Sequence, residues 1–176
     1  MEPNKLNLNT QELFNALADN LDSQVKVYRA LLEVVRKERD VLVAAQIEQL
    51  NENNKAKEAI LVKVRSLDAG RIKYAHDLAL AVGADSNQPR LLEIAAKINL
   101  TDGDRLRVLH STLELLVKRL SEINKGNESL VKAALQNVSG AIESIKGTLQ
   151  AKPTYGKKGA LVTSPQNGEH LVSKDV

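Results

Sequence analysis

Three histidines and the carboxylates of Asp19 and Asp22 are the side chains of this sequence that could support catalysis or metal binding. His76, His110 and His170 lie far apart in the chain, and none has a metal ligand or catalytic partner at a local spacing. Asp19 and Asp22 are three residues apart, so one helix face would carry both carboxylates, as general acid–base chemistry requires. Nothing nearby indicates a pocket, and a solvated helix face explains the pair better. We therefore expect no enzyme, no metal site and no cofactor.

Phosphate and nucleic-acid binding have little support. The segment Gly156–Gly159 has the residue types of a phosphate-binding loop but not its spacing, and no strand pattern precedes it. The formal net charge is only +3, and one phenylalanine and three tyrosines are the only aromatic residues available for stacking on bases. We expect no nucleic-acid partner. Because the sequence has no cysteine, disulfides and thiolate chemistry are excluded.

The sequence shows no pattern typical of secretion or membrane insertion. Its first residues are polar and lack the charged-then-apolar pattern of a signal peptide. No stretch approaches the roughly 18 uninterrupted apolar residues of a membrane span. We expect a soluble, cytoplasmic protein without stable membrane insertion.

Apolar residues recur in steps of three or four through the first half of the chain, which is the period of a helix. Thr10 is a suitable N-cap, and the pattern weakens at 44–46, so we predict helices over 11–45 and 47–82. A single bent helix is the alternative. A tight hairpin at Ala45 is disfavoured because no glycine or proline is present to make the turn. Gly83 is suited to end the second helix, since glycine adopts the left-handed conformation without steric cost.

The second half of the chain predicts a short helix over 90–98 and a long one over 102–149, with Thr101 and Asp104 resembling a capping box. The long helix keeps a heptad seam up to Ala134 and then slips by one position. The segment 151–176 is polar and rich in proline and glycine, which predicts disorder. We therefore predict an all-α fold: an elongated antiparallel helical bundle or coiled-coil hairpin. Its helical domain would cover 1–150, with a long C-terminal helix and a flexible tail over 151–176.

Three features near the end of the long helix favour binding. Asn127 is a polar residue on the heptad seam, where such residues fix register or partner choice; the alternative is a defect at a bend beside Gly126. Tyr155 stands alone in a polar segment, either as an anchor for a partner or without a role. An apolar stripe with small neighbours can admit another helix or form ordinary bundle core. The residues of this stripe and its flank are Leu130, Val131, Ala134, Leu135, Val138, Ile142, Ile145 and Leu149.

Several short runs, taken in their order along the chain, carry a family resemblance. They are Leu31–Leu42, Ile47–Leu50, Lys57–Leu61, the spaced residues Leu120, Ile123, Asn124, Asn127 and Leu130, and Pro153–Gly156. Together they resemble the FlgN family of flagellar export chaperones. The spaced residues are similar to that family's Leu-Asn-x-x-Asn-x-x-Leu run, with Ile123 in place of leucine. The last run is similar to the Pro-Thr-Tyr-Gly sequence that often ends the family's last helix, although Lys157 and Lys158 stand where acidic or polar residues are usual.

This resemblance implies a cytoplasmic, non-enzymatic chaperone of the flagellar type III export system. Such chaperones bind the C-terminal helices of the hook-associated (hook–filament junction) proteins FlgK and FlgL, prevent premature assembly and deliver them to the export gate. By the resemblance, residues 130–149 would bind the substrate, and Tyr155 would contact the cytosolic domain of the gate protein FlhA. The resting chaperone would be a monomer or a homodimer.

Two other classes of protein stay open. One is a self-associating coiled-coil structural or adaptor protein, which would bury the 130–149 stripe against a second copy. The other is a helical-bundle sensor for a small ligand, which ranks last because the sequence offers neither a membrane anchor nor aromatic or charged pocket residues.

Overall fold

A computed structural model of the chain describes residues 8–150 and contains four α-helices and no β-strand within them. The helices are α1 (Leu8–Val43), α2 (Ile47–Val82), α3 (Leu91–Lys97) and α4 (Leu100–Gln150). The predicted all-α fold is confirmed. The predicted bounds of α2 coincide with the observed ones, and those of the other helices differ by up to three residues. The predicted tail over 151–176 lies outside the described residues.

The first two helices form an antiparallel hairpin around a three-residue turn, 44–46. Ala45 has a φ of +53°, in the left-handed region, and the N–H of Gln46 donates to the carbonyl of Val41 at 3.2 Å. The prediction that a hairpin at Ala45 is disfavoured was therefore wrong, as was the bent-helix alternative. The left-handed conformation costs an alanine about 1–2 kcal/mol. Packing along two 36-residue helices outweighs this cost, because each fully buried aliphatic side chain contributes about 1.5–3 kcal/mol.

Two buried amides set the register of this hairpin. Gln24 Nε2 donates to the carbonyl of Leu67 at 3.1 Å, and closer to the turn Asn53 Nδ2 donates to the carbonyl of Val34 at 3.2 Å. Because later residues of α2 pair with earlier residues of α1, the two helices are antiparallel.

Helix α4 runs parallel to α1 within the unit Met1–Lys132, one of two units into which the chain divides. Gln11 donates to Asp102 at 3.5 Å near the start of both helices, and Asn127 donates to the carbonyl of Val35 at 3.0 Å much further along both. This unit is therefore an up-down-up bundle of α1, α2 and α4.

Two apolar clusters hold this bundle together. The larger joins all four helices and includes Phe14, Leu17, Leu21, Leu78, Ile94, Leu106 and Leu109. The smaller lies closer to the 44–46 turn and consists of Leu31, Leu32, Val35 and Leu120, with Ile60 and Leu61 packed against it. Helix α3 packs closely on the start of α4: a Cβ atom added at Gly103 would overlap the carbonyl oxygen of Ala95.

The prediction that Gly83 ends α2 is confirmed, whereas two predicted N-caps were wrong. Gly83 has a φ of +71°. Thr10 and the Thr101–Asp104 pair lie inside their helices instead of preceding them. Asn99 caps α4: its Oδ1 accepts the N–H of Asp102 at 2.9 Å, and its Nδ2 donates to the Asp102 carboxylate at 2.6 Å. The first bond is the N-cap bond of a capping box, two residues earlier than predicted, and the second joins the two side chains instead of returning to the N-cap backbone N–H.

The second unit is Ala133–Val176, and its described part is the end of α4. Every side chain described in it, from 133 to 148, is exposed.

Candidate protein-binding site

The histidines considered for catalysis are not brought together. His76 is exposed, with its Nδ1 3.1 Å from Oδ1 of its neighbour Asp77. His110 is half-buried on another helix, and His170 lies outside the described residues. Among residues 8–150, no group of three or more histidines, cysteines and carboxylates could hold a metal ion.

Asp19 and Asp22 form ion pairs with an arginine of α4. Arg105 Nη2 lies 2.7 Å from Asp22 Oδ2 and 3.5 Å from Asp19 Oδ1. The hydrogen bond that Arg105 donates to the Asp22 carboxylate raises the pKa of Arg105 above its usual value. The interpretation of these carboxylates as a solvated face was incomplete, because they lie at the α1–α4 contact. Such exposed pairs contribute about 0–1 kcal/mol to stability.

A buried polar cluster links the three long helices close to the end of the bundle that carries the 44–46 turn. Asn127 is 4% exposed, and its Nδ2 donates to the carbonyl of Val35 and to Glu38 Oε2, both at 3.0 Å. Lys57 Nζ reaches both oxygens of the Glu38 carboxylate at 2.9 and 3.0 Å. These bonds match the interpretation of Asn127 as a register-fixing residue, because they tie one level of α4 to one level of α1 and α2.

The sequence analysis did not identify Glu38 and Asn53 as residues whose polar side chains are largely buried. Glu38 has a side chain only 12% exposed, and Asn53 is 5% exposed. The available signal was Lys57, an ammonium at an inward position of the α2 stripe, since a buried lysine needs a carboxylate partner.

Beyond Leu130, the described apolar residues of α4 are exposed. In the second unit, Leu135, Val138, Ile142 and Ile145 are 62%, 57%, 48% and 60% exposed. Their steps of three, four and three residues place them on one face of the helix. This exposed stripe is the main candidate for a protein-binding site, because contiguous uncovered apolar surface marks an interaction surface.

The remaining predicted site residues have varied environments. Leu130 is half-buried and Val131 is 40% exposed, both within the first unit. Ala134 is exposed and flanks the stripe. The side chain of Leu149 and the whole of Tyr155 lie outside the described residues.

Gly140 and Gly147 are not required by packing. A Cβ atom added at either position would meet nothing within 4 Å. Each glycine lowers helix stability by about 1 kcal/mol relative to alanine. The helical segment that carries the stripe is therefore less stable than it would be with alanine at these two positions.

The described residues form a helical bundle whose last helix carries an exposed apolar stripe, the kind of surface that helical proteins use to bind a partner helix. None of the described helices has the length and apolarity needed to cross a membrane.

Residues 8–163 match the family model described as FlgN protein. Since this match covers most of the chain, the chain belongs to the FlgN family, and the resemblance found in the sequence is confirmed. Membership supports a role as a flagellar export chaperone. No curated protein and no solved structure matches the chain.

Proposed function

We propose that this chain is a cytoplasmic, non-enzymatic chaperone of the flagellar type III system that binds the C-terminal helices of the hook-associated proteins FlgK and FlgL. It acts without a cofactor, prevents their premature assembly and delivers them to the export gate. The observation that carries this proposal is the exposed stripe of α4 in a member of a flagellar chaperone family.

The chemistry of the stripe suits helix-in-groove binding. An amphipathic partner helix is recognised through anchors spaced by three and four residues, the spacing of Leu135, Val138, Ile142 and Ile145. Each of these side chains is about half exposed, so covering it contributes on the order of 1 kcal/mol. A substrate helix covered in this way has its own apolar face hidden, and that face is then unavailable for assembly with other subunits.

Release follows from the weakness of the same helix. Part of the binding free energy is used to order a segment weakened by Gly140 and Gly147, which moderates affinity without any nucleotide. Tyr155 is the proposed contact with the cytosolic domain of FlhA, by analogy with the family motif Pro153–Gly156.

The direct test is co-purification with a C-terminal fragment of a hook-associated protein. Leu135→Asp with Ile142→Asp should reduce binding at least about tenfold, because charges replace two anchors. The matched control is Val108→Asp with Leu115→Asp: these residues are on the same helix and are 63% and 67% exposed, but lie off the stripe. Equal loss in both double variants would mean that the stripe has no special role.

Truncation separates the two proposed contacts. A chain ending after Gln136 should keep its folded bundle and lose the substrate fragment, since most of the stripe is removed. Tyr155→Ala should weaken binding to the FlhA cytosolic domain and leave substrate binding unchanged. Retained substrate affinity in the truncated chain contradicts the proposed site, and parallel loss of both activities in Tyr155→Ala contradicts the separate gate contact.

Self-association is the second candidate function, because the same stripe can be buried by a second copy. Sedimentation at several concentrations distinguishes the two. A chaperone leaves the stripe available in a monomer, or in a homodimer formed elsewhere, so Leu135→Asp would not change its mass. A structural coiled coil dissociates when that residue is changed.

A further inference from the structure

The exposed stripe of α4 has a regular heptad register of its own. Leu135 and Ile142 occupy a positions, and Val138 and Ile145 occupy d positions, since the step from a to d is three residues and from d to a is four. In the same sequence register Val131 is a d residue and Leu149 an a residue. The seam therefore places β-branched residues at every d position.

This arrangement disfavours pairing with a single helix. In parallel coiled coils, β-branched residues at a with leucine at d favour two strands, whereas leucine at a with isoleucine at d favours three or four. Leu135 at a with Ile145 at d follows the second pattern, and Ile142 with Ile145 is isoleucine at both positions, which also favours more than two strands. Val138 shares the β-branching of isoleucine.

The two flanks of the stripe differ in size and charge. On one flank, the g positions are Ala134 and Ala141, both exposed, which widen the apolar face beyond a strict a/d seam. Such a three-in-seven face is typical of a helix packed in a bundle, with neighbours on both sides. On the other flank, the sequence register places Lys132 and Lys146 at e positions. Lys132 forms an exposed ion pair with Glu128 one turn earlier, at 2.6 Å, whereas among the residues described Lys146 has no carboxylate within salt-bridge distance.

We propose that the occupant of this stripe is a pair of amphipathic helices from one export substrate, the helix on the lysine side carrying acidic residues. The pair completes a bundle of at least three helices with the end of α4. One helix packs against the alanine flank, where small side chains allow close approach, and the other faces Lys132 and Lys146. This inference rests on the proposed function and adds to it the number and charge of the bound helices.

The same pattern disfavours an antiparallel pair of two copies of this chain. In that arrangement e positions face e positions, so Lys132 would lie opposite Lys146 of the second copy at both ends of the seam. Like charges across a seam are unfavourable, and their repulsion selects against that partner.

The test compares one helix with two, using the full-length chain. Designed acidic heptad peptides are offered as a single helix and as a hairpin of two copies, and calorimetry gives affinity and stoichiometry. The hairpin should bind one to one and at least about tenfold more tightly than the single helix. A single helix that binds one to one with equal affinity overturns the proposal.

The same experiment distinguishes failure of the proposed function from failure of the two-helix inference. One-helix and two-helix C-terminal fragments of a hook-associated protein are measured beside the designed peptides. If neither fragment binds while the designed hairpin does, the flagellar substrate is wrong and the two-helix site stands. If both fragments bind equally well and one to one, the substrate stands and the two-helix inference is overturned.

A double charge-reversal variant tests the preference for an acidic partner helix. Lys132→Glu with Lys146→Glu should weaken the acidic hairpin about fivefold to thirtyfold and strengthen a hairpin in which lysine replaces its glutamates. The control is Lys63→Glu with Lys73→Glu, two exposed lysines of α2 that should change neither affinity. Equal weakening of both hairpins would indicate lost helix structure, which circular dichroism detects, and unchanged affinities would overturn the acidic assignment.

A variant with leucine and β-branched residues exchanged along the seam tests the helix number directly. Leu135→Ile with Val138→Leu and Ile145→Leu moves the β-branched residues to a positions and leucine to d positions, the pattern that favours two strands. The preference for the hairpin over the single helix should then fall towards unity. A preference that stays at the wild-type value means that the seam does not set the number of helices.

Discussion

Leu106 and Leu135 lie on the apolar seams before and after the one-residue slip of the same helix, yet Leu106 is 0% exposed and Leu135 is 62% exposed. The first is covered by α1 and α2 in the bundle, and the second has no cover in the unit that contains it. Periodicity alone therefore identifies an apolar face and does not say what covers it. The difference is that Leu106 has three other helices around it in the first unit, whereas the described part of the second unit is a single helix.

The largest effect expected from this comparison is on stability. Leu106→Ala should lower the free energy of unfolding by about 2–5 kcal/mol, because it leaves a cavity in a fully buried site. Leu135→Ala should change it by less than about 0.5 kcal/mol and should instead weaken substrate binding. Urea unfolding of both variants checks the contrast, and similar losses of stability would mean that Leu135 is also a core residue.

Two glycines of α4 should respond to alanine with opposite signs. Gly103→Ala should destabilise the protein by about 1–3 kcal/mol, because its Cβ would overlap the Ala95 carbonyl and force α3 away from α4. Gly126→Ala should stabilise it by about 0.5–1 kcal/mol, because a Cβ there meets nothing within 4 Å. Thermal unfolding of the pair measures the difference. Equal shifts in Tm would show that the α3 contact does not constrain Gly103.

The polar cluster should contribute less than the apolar core. Asn127→Ala removes the bonds to Val35 and Glu38 and should cost about 1–2 kcal/mol. Asn124→Ala, on the exposed side of the same turn, serves as the control and should have almost no effect. If both substitutions have the same small effect on urea unfolding, the Asn127 cluster does not fix the register of α4.

The smallest expected effect lies at the boundary of the two regions and depends on pH. The hydrogen bond from Lys132, 2.6 Å away, lowers the pKa of Glu128 below its ordinary value of 4.5. The folded-state pKa is the lower one, so the pair stabilises the helix above the ordinary pKa, and this is lost as the pH falls through the lowered value. Carboxyl NMR titration should show the pKa of Glu128 rising in Lys132→Gln and not in the control Lys118→Gln. No rise in Lys132→Gln would mean that the pair does not form in solution.

Sequence patterns predicted the parts of the fold that depend on local physics. The bounds of α2, the left-handed residue at Gly83 and the seam of α4 follow from periodicity and glycine chemistry. The turn at Ala45 did not follow, because tertiary packing forces an alanine into a conformation that its own preferences resist. Asn99 was missed because Thr101 and Asp104 have the three-residue spacing of a capping box, although asparagine is at least as favourable an N-cap as threonine.

The sequence predicted which residues form the stripe of the candidate site, but not that the stripe is exposed. The sequence placed Leu135, Val138 and Ile142 on one stripe, but left bundle core and partner surface as alternatives. Exposure separates these for the described residues, and exposure depends on tertiary packing that a local pattern does not encode. The pairing of Glu38 with Lys57 could not be predicted, because it joins two helices through long-range packing.

The parallel pairing of α1 with α4 has a consequence for the order of events during synthesis. The hairpin bonds join residues 19 and 43 positions apart, whereas Asn127 and Val35 are 92 apart. Contacts between residues close in sequence form faster, and chains fold from the N-terminus as they are made. We therefore expect the α1–α2 hairpin to form before α4 docks on it. Until α4 docks, the apolar face of the hairpin is uncovered, and other apolar helices can compete for it.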